Sequence, residues 1–195
     1  MRTDIILSGV GGQGILSIAT IIGAAAIKEG LYIKQAEVHG MSQRGGDVQS
    51  NLRISSEPIA SDLIPLGKAD IIISLEPMEA LRYLPYLRKD GWLITNTTPF
   101  VNITNYPNVE KLMAEIQTLQ HHVAIDVDGI AKAVASQRVA NIVLLGAASP
   151  FLGIEVEKIE EGIRRIFARK GDDIVEINIK AFRAGLEYAE KSLKK

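Results

Sequence analysis

Apolar runs of strand length alternate with longer apolar stripes of helical period along nearly the whole chain. Asp4 to Val10 begins as an apolar run and ends among four glycines, Gly9, Gly11, Gly12 and Gly14. From Gln13 to Glu29 the apolar positions include Ile15, Ile18, Ile22 and Ala26, a stripe broad enough for a helix packed between a sheet and its neighbours. Gly30 is placed to stop that helix, and Leu31 to Val38 reads as the next strand. Further buried-type strands are expected at 69–75, 91–95 and 122–125. Helices are expected at 77–88, which Pro85 should end or kink, and at 109–119, 128–136 and 141–148. Two amphipathic helices should follow at 155–169 and 173–191, the second with Ile174, Ile177, Ala181, Phe182 and Leu186 on its apolar side.

One segment breaks this rhythm. Val48, Ser50, Leu52 and Ile54 alternate with Gln49, Asn51 and Arg53, a period of two that predicts a half-exposed antiparallel strand, at an edge or in a hairpin. The remaining alternation of strands and helices defines an α/β protein, with a doubly wound, mostly parallel, Rossmann-like sheet. An antiparallel hairpin or edge strand is inserted into it, and C-terminal helices complete the core. The whole of 1–195 reads as a single domain. In such sheets ligands bind beyond the carboxyl ends of the strands. One rim should therefore collect 9–14, 37–46, Glu76 and Pro77, 96–98 and Asp126.

Composition narrows the chemistry. A formal net charge of −1 and the lack of any basic tract interleaved with aromatics argue against nucleic-acid binding. No apolar run approaches a membrane span, so a cytoplasmic location is the expectation. Cysteine is absent, which excludes disulfides, a thiolate nucleophile and a cysteine-ligated iron–sulfur cluster. Of the three histidines, His121 and His122 are adjacent and would face opposite ways on a strand, so no metal site is expected. The pattern G-x-x-x-x-G-K-[ST] is missing, as is G-x-S-x-G, so neither a P-loop hydrolase nor a serine hydrolase fits. No residue presents itself as a catalytic group.

Two segments carry candidate binding chemistry. Gly9, Gly11 and Gly14 satisfy G-x-G-x-x-G between a strand and a helix, where backbone N–H groups and the helix dipole suit an anion. A tight turn without a ligand satisfies the same residues. The stretch from Glu37 to Gly46 is polar and glycine-rich, and Ser42, Gln43, Arg44, Gly45 and Gly46 offer dense donors for a phosphate or carboxylate. A solvated surface loop is the alternative. His39 could exchange protons, but a hydrogen-bonded structural role is the commoner use of a lone histidine. Glu37 ends the second strand, where dinucleotide-binding folds keep a ribose-binding acid, so a stand-alone NAD-binding protein using Gly9, Gly11, Gly14 and Glu37 is a second reading. Glu76 and Asp126 suit helix capping better than catalysis.

The turn from Gly9 to Ile15, the segment from Glu37 to Gly46 and the strand Val48 to Arg53 together resemble the gamma subunit or domain of 2-oxoacid:ferredoxin oxidoreductases, especially those acting on indolepyruvate. Ser74 to Arg82 and Asn96 to Pro99 resemble family segments in the same order. The resemblance implies a subunit, inactive alone, of a complex that converts a 2-oxoacid and coenzyme A to acyl-CoA, CO2 and reduced ferredoxin. It implies that a large cysteine-rich partner carries thiamine diphosphate and the iron–sulfur clusters, consistent with the missing cysteines here. It also implies that Gly9, Gly11, Gly12, Gln13, Gly14 and Ser42 to Gly46 contact coenzyme A or close the active site.

Overall fold

The computed structural model describes residues 1–39 and 45–194; the side chain of His39 lies outside the described part. Six strands form one sheet: β1 (Arg2–Val10), β2 (Tyr32–His39), β3 (Asp47–Ser55), β4 (Ala69–Ser74), β5 (Leu87–Asn96) and β6 (His122–Ile125). Their order is β2-β3-β1-β4-β5-β6. The β1–β4, β4–β5 and β5–β6 pairs are parallel, while β3 runs antiparallel to both neighbours. It is the single reversed strand of the sheet.

Helices cover both faces. α1 (Ile15–Lys28), α4 (Val127–Val134), α5 (Ala140–Ala148), α6 (Val156–Phe167) and α7 (Asp172–Leu193) pack on the face of Ile5, Leu7, Leu52 and Ile73. A smaller core around Ile6, Ile72 and Leu93 is covered by α2 (Pro77–Arg82) and α3 (Val109–Gln117). α5 is buried from Asn141 to Ala148, as its apolar sequence predicts. It meets α7 backbone to backbone. A Cβ added at Gly146 would lie 1.9 Å from the Phe182 carbonyl oxygen, and one at Gly185 1.9 Å from that of Val143.

Three expectations need correction. β3 is hairpin-paired and antiparallel as expected, but it is neither half-exposed nor at the edge; β2 is the edge, and Asn51 and Arg53 are buried. The polar positions of β3 are covered by the chain that follows it. Arg53 donates to both carboxylate oxygens of Asp4 at 2.8 and 3.0 Å and to the carbonyls of Ser61 and Leu63 at 3.0 and 2.9 Å. The Asn51 side chain accepts the Ile64 N–H at 3.1 Å. Polar alternation here marks buried, satisfied side chains, not solvent. Second, α2 ends at Arg82, and Pro85 sits in a short 3-10 turn, Leu84–Tyr86, leading into β5. Third, α7 buries Ala181 and Phe182 and packs Ile177 and Leu186 against the core as expected, but Ile174 is 38% exposed while Val175 and Ile179 are buried.

Two substitutions test this packing. Gly185→Ala should cost about 3 kcal/mol or more in chemical denaturation, because the clash is with backbone that cannot rotate away. Arg53→Met should cost roughly 3–5 kcal/mol by stranding the buried Asp4 carboxylate. Unfolding midpoints equal to the parent chain in either variant would contradict the packing described.

Candidate binding rim at the glycine turn

The connection leaving β1 crosses one face of the sheet through α1, whereas those leaving β4 and β5 cross the other through α2 and α3. The gap between β1 and β4 is therefore the point at which an open α/β sheet parts to admit a ligand. The glycine turn stands at this gap. The Gln13 side-chain amide spans it, accepting the Val10 N–H at 2.7 Å and donating to the Leu75 carbonyl at the end of β4 at 3.2 Å. That makes Gln13 a brace between two strands. Its side-chain oxygen would lie 2.7 Å from a Cβ on Gly9, which explains glycine there.

The other glycines divide by cause. Gly14 has φ +88°, and an added Cβ would meet the Asn141 amide nitrogen at 2.7 Å; that amide donates to the Gly14 carbonyl at 3.2 Å, tying the start of α5 to the turn. Gly12 has φ +104° with nothing within 4 Å of the added atom. Its backbone conformation requires glycine, and the space above it is open. Gly11 is fixed by two backbone bonds, its N–H to Gly46 at 2.8 Å and its carbonyl from Gly45 at 3.2 Å. Gly45 and Gly46 thus lie against the turn. Ser42, Gln43 and Arg44 lie outside the described residues.

α1 starts without a side-chain cap or an acidic residue in its first turn. Among the described residues, the N–H groups of Gly12, Gly14, Ile15 and Leu16 make no hydrogen bond. Helices α2, α3 and α4 are instead capped by Glu76, Asn108 and Asp126, so the capping roles expected of Glu76 and Asp126 hold. Two cavities flank the turn and share Gly11 and Gly12. One, of about 400 Å³, is walled by Val10, Ile15, Leu16 and Val48. The other, of about 650 Å³, is more polar and is bounded by Gln13, Gly45, Asn96, Asp128 and Arg138. Sequence reasoning missed Asp128 and Arg138, because they reach the rim from α4 and the turn after it.

Glu37 does not join the turn. It is exposed on β2, accepts from Gln35 at 2.9 Å, and is separated from β1 by β3, about 10 Å across two strand spacings. In a dinucleotide-binding fold the ribose acid sits on the strand next to the turn, so the geometry does not favour the NAD reading.

Behind the rim lies a carboxylate network invisible in the sequence. Glu76 is fully buried; it accepts the Glu79 N–H at 2.8 Å, the Phe100 N–H at 3.3 Å and the Tyr106 hydroxyl. Glu79 is 3% exposed and pairs with Arg82 at 2.6 Å. Burial pushes the Glu79 carboxyl up to about 7, against the pull of Arg82 and with help from Asp47. Asp47 accepts the Tyr83 hydroxyl at 2.6 Å. Burial and this bond hold the Tyr83 phenol well above its ordinary range. Because Asp47 follows Gly46 directly, the network anchors the segment that meets the glycine turn.

An uncapped helix start, glycine-gated and flanked by two cavities at the sheet's parting point, marks an α/β protein whose rim is open where such sheets bind ligands. The family "Pyruvate ferredoxin/flavodoxin oxidoreductase" matches residues 4–188, and the chain belongs to it. The chain is 36% identical over 200 residues to indolepyruvate oxidoreductase subunit IorB of Pyrococcus horikoshii, covering 97% of each. Among solved structures, the keto/oxoacid ferredoxin oxidoreductase gamma subunit of Geobacter sulfurreducens aligns at 28% identity and TM-score 0.72, over 97% of this chain and 99% of that one. The 2-oxoglutarate:ferredoxin oxidoreductase of Magnetococcus marinus, solved with 2-oxoglutarate, coenzyme A and succinyl-CoA, shares the fold at TM-score 0.77 and 22% identity; the match spans 97% of this chain but 31% of that one. The chain is thus homologous to subunits of 2-oxoacid:ferredoxin oxidoreductase complexes. No single helix among the described residues is long and apolar enough to cross a membrane.

The buried Glu79 sets a pH dependence. A carboxyl that holds its proton to about 7 when folded, against 4.5 ordinarily, makes the folded chain bind more protons than the unfolded chain between those values. Stability should therefore fall as pH rises through that window. Glu79→Gln should flatten the slope, as read by denaturation midpoints from pH 4.5 to 8. An unchanged slope in the variant would contradict the assignment.

Proposed function

We propose that this chain is the cofactor-free subunit of a cytoplasmic 2-oxoacid:ferredoxin oxidoreductase, with indolepyruvate or another aryl pyruvate as substrate. It helps form the coenzyme A site for oxidative decarboxylation to acyl-CoA, CO2 and reduced ferredoxin. The observation that carries this reading is the open glycine turn, with the N–H groups of Gly12, Gly14, Ile15 and Leu16 unpaired among the described residues beside two cavities. These are phosphate-binding donors, and coenzyme A brings phosphates to a site that must also hold a long thiol arm. The relative solved with coenzyme A lends support.

In this reading the partner is a large cysteine-rich chain that holds thiamine diphosphate and iron–sulfur clusters, which supply the carbanion and electron-transfer chemistry. Without a cysteine of its own, this chain can ligate no such cluster through thiolates. Its residues bind and orient. The turn amides grip phosphate, Gln13 holds the turn across the β1–β4 gap, and Ser42 to Gly46 close over the bound coenzyme. No residue of this chain takes a catalytic role.

The complete complex, purified with its larger partner, should reduce a dye only when both indolepyruvate and coenzyme A are supplied. Gly12→Val and Arg44→Ala should each raise the KM for coenzyme A about tenfold or more, the loss expected for a charge-assisted contact, with the KM for the 2-oxoacid unchanged. Coenzyme A kinetics identical to the parent complex in both variants would reject the site.

A further inference from the structure

Resting on the coenzyme A reading, the structure assigns Arg138 as a second, cationic grip on the phosphate-bearing end of that ligand. Arg138 lies in the short 3-10 turn Gln137–Val139 between α4 and α5 and lines the polar cavity beside the glycine turn. Its backbone is fixed on the C-terminal side by two contacts. Val139 is buried in the core, and Asn141 donates to the Gly14 carbonyl at 3.2 Å. The arginine is thereby held at a set position relative to the turn amides, although nothing in the sequence links the two segments.

Its side chain is exposed and, among the described residues, makes no ion pair or hydrogen bond. A carboxylate shares the cavity, but Asp128 is occupied otherwise. It accepts from the Asn96 amide at 2.9 Å and from the Gln137 amide at 2.6 Å. The guanidinium is left to the cavity. A planar, permanently charged fork suits a phosphate bidentately. The turn amides contribute only partial charges, whereas Arg138 adds one full positive charge to the cavity wall. A cavity of about 650 Å³ has room for a phosphate-bearing group between the two donors. An arginine merely solvated at the surface would have no bearing on ligand affinity, and this difference is measurable.

The test uses the complete complex carrying Arg138→Ala or Arg138→Lys, with KM measured separately for coenzyme A and for the 2-oxoacid, and thermal midpoints as a folding control. The expected result is a rise in KM for coenzyme A of about tenfold or more in Arg138→Ala. Arg138→Lys should recover part of the loss, and the KM for the 2-oxoacid and the thermal midpoint should not move. An unchanged KM for coenzyme A overturns the assignment, as does an equal rise in both KM values, which would mark a structural role. Gly12→Val separates the two levels of the argument. If it raises the KM for coenzyme A while Arg138→Ala does not, only the arginine is wrong. If neither variant moves it, the coenzyme A reading falls as well.

Discussion

The reversal of β3 between β1 and β2 is the constraint on which the rim depends. Because β3 runs against β1, its first residue, Asp47, pairs with Val10 at the end of β1. The segment before β3 must therefore finish at the same end of the sheet as the glycine turn. Had β3 been parallel, Gly45 and Gly46 would have stood at the opposite end, a strand length away. The two backbone bonds between Gly11 and Gly45–Gly46 follow from this pairing. At the far end of β3, the buried Arg53–Asp4 pair and its bonds to the chain at 61–63 hold the register. Slipping the strand by one residue would bury the wrong face and strand that charge.

The same reversal limits what the turn can bind. A plain dinucleotide fold places its acid one strand from the glycines; here β3 occupies that place, and Glu37 is carried out to the exposed edge. What remains at the rim is mostly donors: amides unpaired among the described residues, the side chain of Arg138, and carboxylates already engaged by caps and amides. Glu76 and Glu79 work from behind as buried supports linked to Tyr106 and Arg82, and the exposed Asp47 is held by Tyr83. Donors in front and satisfied acids behind make the rim receptive to an anion.

Much of the fold was legible in periodicity, since β1, α1 and α5 carry strong local patterns that their packing preserves. Pattern failed where tertiary contacts decide the environment. The alternation of β3 looked half-exposed because local sequence cannot show that Ser61, Leu63 and Ile64 would return to satisfy its polar face. On α7 the expected apolar side faces the core from Ile177 to Leu186, and only Ile174, in the first turn, is left 38% exposed. At the rim, Gly9 to Gly14 announced themselves through spacing. Asn141, Asp128 and Arg138 did not, because a lone polar residue on a helix has no signature until the fold brings it to a turn more than a hundred residues away in the chain.

The most direct measurement of the central claim is amide hydrogen exchange of this chain within its complete complex, with and without coenzyme A. The account predicts slowed exchange confined to Gly12, Gly14, Ile15 and Leu16 and the adjoining segment up to Gly46, because these are the amides the phosphates would take. Exchange at those positions that is indifferent to saturating coenzyme A would contradict it.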